Sequence, residues 1–390
     1  MAVAVVVVNR RGSARWRERG HPWIYRSDVI TAPDNDAGAV HVRDETGRRV
    51  GTALWSPSSQ IALRFLSRDF IDADTGFWHS RITEAVRHRE SFAPDATAFR
   101  LVHAEADGLP SLVVDRYGDH LVVQLLSAGL EAFRNEILAG LLDACAPAGI
   151  LARNDVPVRR LEQLAEGVEL LHGTVPQEVQ VREGDVVYLA APWTGQKTGA
   201  FLDQRENRER AGALARGRAL DCFSYHGSFA LHLAGRADAV TAIDSSGDAL
   251  ARARVNATLN GSRVERIEFV EANAFDFLRA QDDAGEEYDT IVVDPPAFAR
   301  RKDTVQGALR GYKELNLRAL RILRPGGFLC TFSCSYPVTP GLFRQMIESA
   351  AIDAGRPVRW IEWRGQAADH PEVVQIPESA YLKGAILQVA

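Results

Sequence analysis

Asp289-Thr290-Ile291-Val292-Val293-Asp294-Pro295-Pro296-Ala297-Phe298 decides how this chain reads. Ile291-Val292-Val293 has the β-branched, wholly apolar character of a strand buried on both faces. Proline lacks a backbone N–H and pushes the residue before it out of the helical region, so the strand is predicted to stop at Asp294. Open α/β sheets bind ligands at the carboxyl ends of their strands, where this carboxylate falls. A second apolar strand follows one helix later, Phe328-Leu329-Cys330-Thr331-Phe332-Ser333-Cys334. It ends in a thiol at a comparable height. An acid and a thiol on neighbouring strand ends point to covalent chemistry on a base.

Outward from this pair, strands recur at 219–223, 239–243, 267–270, 290–293 and 327–332, with helical patterns between them at 228–233, 247–259, 274–280 and 305–323. Such alternation predicts an α/β fold, a parallel sheet with helices on both faces. A helix at 341–351 and strands at 358–363 and 383–389 complete a seven-stranded sheet, the last two strands pairing antiparallel. The alternating region begins at Val186-Val187-Tyr188-Leu189.

Two segments precede it. Residues 1–70 read as a small β-rich domain, with strands at 3–8, 39–42, 50–54 and 60–66 and turns at Pro33-Asp34-Asn35-Asp36 and Glu45-Thr46-Gly47. Basic and aromatic residues interleave between its first two strands: Arg10, Arg11, Arg15, Trp16, Arg17, Arg19, Trp23, Tyr25 and Arg26. Arginine neutralises phosphate while an aromatic ring stacks on a base, so Arg10, Arg11, Arg15, Arg17, Arg19 and Trp23 are candidate RNA contacts. The alternative is a solvated helix whose Trp and Tyr pack inward. Residues 71–185 read as a central α+β domain: a helix at 76–92, strands at 99–105, 112–119 and 120–126, a helix at 130–145 and a strand at 150–154. Asp107 and Asp115 are assigned to turns. Residues 186–390 form the third domain.

A net charge of -5 excludes a general polyanion binder and leaves nucleic-acid contact to local patches. Four cysteines without regular spacing give neither a disulfide framework nor a metal site, which suits a cytoplasmic location. The apolar opening at 2–8 reads as a strand rather than a signal peptide, and no apolar run nears the ~18 residues of a membrane helix. Monomer and homodimer are both open.

The first strand of the parallel sheet ends Leu220-Asp221-Cys222-Phe223-Ser224-Tyr225-His226-Gly227. Its single glycine does not make a glycine-rich pyrophosphate cradle. The second strand ends at Asp244, at the spacing from the first turn where a carboxylate accepts ribose hydroxyls. The third leads into Asn273-Ala274-Phe275-Asp276, where an amide or acid could meet an adenine amino group. Strand-end acids also cap helices, but four on four successive strands argue for a ligand.

These motifs resemble those of class I S-adenosylmethionine-dependent methyltransferases. More narrowly, the chain resembles the large-subunit (23S) ribosomal RNA cytosine-C5 methyltransferases with an N-terminal PUA domain. The resemblance rests on Lys197-Thr198-Gly199 with Phe201-Leu202-Asp203-Gln204-Arg205, on 221–227, on 294–298 and on Phe332-Ser333-Cys334-Ser335. It implies S-adenosyl-L-methionine as cofactor, surrounded by Asp221, Phe223, Gly227, Asp244, Asn273, Asp276 and Asp294, with Asp203 or Arg205 near its amino-acid end. It also implies 23S rRNA or a large-subunit precursor as partner, and no membrane.

C5 of cytosine is a poor nucleophile until a thiolate adds at C6, so Cys334 is the candidate nucleophile and Asp294 the group on the base edge. Many RNA cytosine-C5 enzymes carry Pro-Cys in the motif at 294–298; Ala297 stands here, so the base that removes the C5 proton is unassigned. Phe298 and Tyr336 are candidate stacking residues, and Cys145, Cys222 and Cys330 are assigned to packing. Two other readings stay open: an rRNA guanine N-methyltransferase on the same fold, which needs no thiol, and a non-catalytic RNA-binding assembly factor.

Overall fold

The computed structural model describes residues 3–33, 36–92 and 95–390; the turn expected at Asp34-Asn35 lies outside the described residues. Two units divide the chain. One comprises Met1–Val181, Ala190–Leu202 and Ala368–Ser379, the other Arg182–Leu189, Asp203–Ala367 and Ala380–Ala390.

The first unit opens with six strands: β1 (Val5–Val8), β2 (Trp23–Tyr25), β3 (Val29–Thr31), β4 (Gly38–Asp44), β5 (Arg49–Trp55) and β6 (Ile61–Ser67). They form one sheet in the order β2-β6-β5-β4-β1-β3 around Val6, Val8, Ile24, Val42, Leu63 and Phe65. The arginine-rich stretch is a helix, Arg10–Arg17, capped by the Asn9 side chain accepting from Gly12 N at 2.9 Å. A five-stranded sheet follows, β7 (Ala98–His103), β8 (Leu112–Tyr117), β9 (His120–Leu125), β10 (Gly149–Arg153) and β11 (Val168–Gly173), in the order β11-β10-β9-β8-β7. Helices Thr75–Glu90 and Arg134–Cys145 supply Trp78, Ile82, Ile137 and Leu141 to its core.

Three sequence expectations need correction here. Strands β2, β3, β11 and β12 (Val179–Glu183) were not foreseen. Asp115 is no turn residue: it lies on β8, buried, paired with Arg100 at 2.6 Å and accepting from Thr198 Oγ1. Residues Val186–Ala190 form β13, which pairs only with β12 (Val179–Glu183) as a hairpin and does not join the parallel sheet.

The seven remaining strands match the alternating pattern: β14 (Arg218–Cys222), β15 (Ala239–Asp244), β16 (Ile267–Glu271), β17 (Tyr288–Val293), β18 (Leu323–Ser333), β19 (Val358–Arg364) and β20 (Lys383–Val389). Their order is β16-β15-β14-β17-β18-β20-β19. β14 to β18 are mutually parallel, and β20 runs antiparallel to both β18 and β19. The order reverses between β14 and β17, the switch point where such sheets open a crevice.

Ile291, Val292 and Val293 are each 0% exposed, and burying such a side chain contributes about 1.5–3 kcal/mol. Ile291 and Val293 pack with Tyr312, Leu315, Phe343 and Met346 from helices Val305–Arg321 and Pro340–Ala354. Thr339 caps the latter helix and Pro340 fits its first turn, so the chain leaving β18 turns sharply just after Cys334. Among the described residues, no helix is long and apolar enough to cross a membrane.

Candidate active site

Asp221 lies at the end of β14, between Ala242 of β15 and Val292 of β17. It is fully buried. Its Oδ2 accepts from Ser224 Oγ at 2.8 Å and Ala230 N at 3.0 Å, and among the described residues its buried Oδ1 meets no partner. Burial, then the nearby carboxylates of Asp294 and Asp244, push its pKa up to about 7 against the pull of those two donors. The acids at the ends of β14, β15 and β17 therefore lie close enough for Asp221 to feel the charge of the other two.

The loop after β14 is stitched to β15. Ser224 N donates to Ile243 O, and Tyr225 N donates to Asp244 Oδ2 at 2.9 Å. The other Asp244 oxygen accepts from Ser246 N at 2.9 Å. The turn needs left-handed backbone at Phe223 (φ 65°), Tyr225 (φ 50°) and Gly227 (φ 79°). At Gly227 a Cβ would also stand 3.0 Å from Ala253, so the glycine lets helix Gly247–Thr258 approach the loop closely.

Asn273 is exposed and spends Oδ1 on capping helix Ala274–Ala284, accepting from Phe275 N at 2.9 Å; the group it can offer a base is the Nδ2 donor. Asp276, 76% exposed, lies one turn on, 3.5 Å from Arg279. Asp203 is buried and accepts from Tyr381 O–H at 2.8 Å, and Arg205 is buried at the start of helix Arg205–Leu214.

The residue between them was missed. Gln204 donates its amide to Asp294 Oδ1 at 2.9 Å and accepts from Asn207 Nδ2 at 2.6 Å. It therefore fixes the plane of the strand-end carboxylate. Its place inside the 201–205 run was the only sequence signal, because its partner lies 90 residues on.

Cys334 follows β18 directly and is half-buried, its Sγ 4.0 Å from Pro295 O. The thiol thus stands against the residue that follows Asp294. Ser335 locks the two strand-end loops together: its Oγ accepts from Ala299 N at 3.0 Å and shares a hydrogen bond with Tyr312 O–H at 2.8 Å. Phe298 packs on Tyr312 with ring centroids 4.7 Å apart, whereas Tyr336 is 54% exposed. Cys222 and Cys330 are fully buried, and burial holds both thiols above the usual range, Cys330 up to about 12. Cys145 is half-buried at the end of a helix in the first unit.

On and just after the N-terminal helix Arg10–Arg17, Arg10, Arg11, Arg17 and Arg19 are exposed. Arg11 pairs with Asp28, and Arg15 lies over the Tyr25 ring at 4.6 Å. Trp23 is half-buried and donates its indole N–H to Glu105 at 2.8 Å, so its ring is held in place by the protein. Arg10, Arg17 and Arg48 line a cavity of about 570 Å³ together with Glu18, Asp44 and Glu45.

Comparison with known proteins agrees with this geometry. The family model described as S-adenosylmethionine-dependent methyltransferase matches residues 121–387, and that of a PUA-like domain matches 6–68. "Ribosomal RNA large subunit methyltransferase I" of Tolumonas auensis is 41% identical, over 95% of this chain and 96% of that protein. A solved chain from Streptococcus mutans, assigned as a SAM-dependent methyltransferase, superposes with TM-score 0.82 at 22% identity over 99% of this chain and 100% of its own. Another, complexed with SAH, gives 0.84 at 22% identity over the same shares. At that identity both show the fold alone. The chain belongs to the S-adenosylmethionine-dependent methyltransferases that carry a PUA-like domain, in the family its curated relatives name ribosomal RNA large subunit methyltransferase I.

Proposed function

We propose that this protein methylates C5 of a cytosine in the 23S RNA of the large ribosomal subunit, through a covalent bond from Cys334 to C6. The observation that carries the reading is the half-buried Cys334 thiol, 4.0 Å from the carbonyl that follows Asp294. A guanine N-methyltransferase has no use for a thiol there. The relatives' shared name supports ribosomal RNA as substrate, and that substrate together with four free cysteines fits a cytoplasmic enzyme.

The residues present fit the methyl donor. Three acids lie near one another at the switch point of the sheet, and one buried Asp221 oxygen has no partner among the described residues. When bound, the donor supplies an electrophilic methyl group. Asp221 and Asp294 offer carboxylates to its cationic end, Asp244 to its ribose hydroxyls and Asn273 an amide to its adenine. Phe223 and Gly227 shape the loop between them, while Asp203 or Arg205 stands near the donor's amino-acid end. Asp276, at 76% exposure, serves as an outer charge.

The thiolate of Cys334 adds to C6, and the C5=C6 electrons move to C5. Asp294, oriented by Gln204, accepts from the exocyclic amino group and shares a proton with N3, which offsets the charge entering the ring. C5 then takes the methyl group, and the electrons of the bond that held it stay with the donor's sulfur. Loss of the C5 proton returns an electron pair to C5=C6 and expels the thiolate. The cytosine reaches the thiol single-stranded or flipped out of its helix. Tyr336, 54% exposed, is the candidate for stacking on the base; Phe298 packs on Tyr312. Arg10, Arg11, Arg15, Arg17 and Arg19 contact RNA phosphates from the N-terminal domain, and Trp23, its ring held by Glu105, offers a face to a base.

Incubating unmodified large-subunit rRNA with labelled methyl donor and mapping the product tests the reading. Label at C5 of one cytosine supports it; label on a guanine or adenine nitrogen overturns it.

The raised Asp221 pKa gives a pH signature. Without ligand this carboxyl keeps its proton up to about pH 7. A folded pKa raised above the unfolded value makes the free protein less stable as pH climbs from about 4 to 7. A cationic donor selects the ionised form, so binding releases a proton. Calorimetric affinity for the donor is expected to fall roughly tenfold for each pH unit below 7, and Asp221→Asn to flatten that profile.

A further inference from the structure

Lys383 begins β20 opposite Ser333 of β18, one residue before Cys334. It is 2% exposed. Its ammonium donates to Ser335 O at 2.8 Å and to Tyr381 O at 2.9 Å, so it grips the peptide segment just past the thiol. Among the described residues no carboxylate lies within 4.0 Å of it. An ammonium has three N–H donors, and two carbonyls take two of them. A buried cation without a counter-ion is costly, and proteins keep one where a partner charge arises. The Cys334 thiolate is such a charge.

We propose that Lys383 is the positioning residue of the covalent step: its ammonium supplies the positive charge beside which Cys334 ionises, and its hydrogen bonds hold the 333–335 segment in place. The inference rests on Cys334 being the nucleophile. Around the thiol, Asp294 from the end of β17 is an acid that, when ionised, opposes ionisation of Cys334. Tyr312, from helix Val305–Arg321, stays neutral because burial raises its pKa. Lys383 is the cation that β20 contributes. Burial lowers the Lys383 pKa to about 8, and the Cys334 thiolate works the other way. The lysine is thus still charged at neutral pH, when the thiol must ionise. An opposite charge within ~4–6 Å lowers an acid's pKa by roughly 1–3 units, enough to bring a thiol from ~8.5 to near neutrality.

The test is alkylation of the full-length protein by iodoacetamide across pH, followed at the Cys334 peptide by mass spectrometry. In the wild type Cys334 is expected to titrate below ~8.5, and in Lys383→Met at least about one unit higher, a roughly tenfold slower alkylation at pH 7. Methyl transfer by Lys383→Met is expected to lose about tenfold in kcat at pH 7, recover towards pH 9 and keep its KM for RNA. A folded Lys383→Met with the wild-type thiol pKa overturns the proposal. So does a wild-type Cys334 that titrates at or above ~8.5, a result that stands even if the variant fails to fold. Alkylation needs neither RNA nor methyl donor, so a failure of Cys334 as nucleophile shows in the transfer assay and not in this one.

Discussion

Cys334→Ala is expected to lower methyl transfer by at least about 1,000-fold while changing affinity for the methyl donor by no more than about twofold. Without a thiolate at C6, C5 of cytosine has no electron pair to offer, and no other group stands in. Cys222 and Cys330 are fully buried with raised thiol pKa values, and Cys145 belongs to the other unit. Donor binding survives because the acids on β14 and β15 are untouched. The alanine leaves the Ser335 hydrogen bonds to Ala299 and Tyr312 in place, so the fold should hold. Single-turnover transfer to rRNA beside calorimetric donor binding separates the two effects. Retained transfer would return the site to nitrogen methylation.

Asp294→Ala is the next largest expected loss, roughly 10²–10⁴-fold in kcat, the usual range for a positioned acid–base group. Asp294 is held by Gln204, which Asn207 holds in turn, so the carboxylate meets the base edge in a fixed plane. Removing it strips the hydrogen bonds that offset charge entering the pyrimidine, and it also strands the Gln204 amide. Gln204→Ala should then reproduce part of the loss, about tenfold, by freeing the carboxylate to rotate. Steady-state kcat for the two variants and their double mutant reads the coupling; equal, additive losses would show that the pair does not act together.

The parallel sheet was legible because its central strands, β14, β17 and the second half of β18, bury both faces. Ile291-Val292-Val293 has no polar alternation, and every such run from β14 to β20 proved to be a strand. The prolines after Asp294 and Thr339-Pro340 after Cys334 marked where those strands stop. Short or exposed strands gave no such signal. β2 and β3 have three residues each, and β11 keeps most of its residues in solvent, so period-two alternation never develops. Asp115 looked like a turn residue because its partner Arg100 sits across a strand pair rather than beside it in sequence. Gln204 and Lys383 escaped for the same reason. Hydrophobic periodicity reports which side chains are buried, not which distant group a buried amide or ammonium will meet.

Large-subunit rRNA transcribed with 5-fluorocytidine offers the most direct test of covalent C5 methylation. Fluorine at C5 cannot leave as a proton, so after methyl transfer the bond between Cys334 and C6 has no route to break. Mixed with protein and methyl donor, then digested, such RNA is expected to yield the Cys334 peptide carrying a methylated fluorocytidine. Methylated RNA released with no protein adduct, or an adduct on another cysteine, would contradict it.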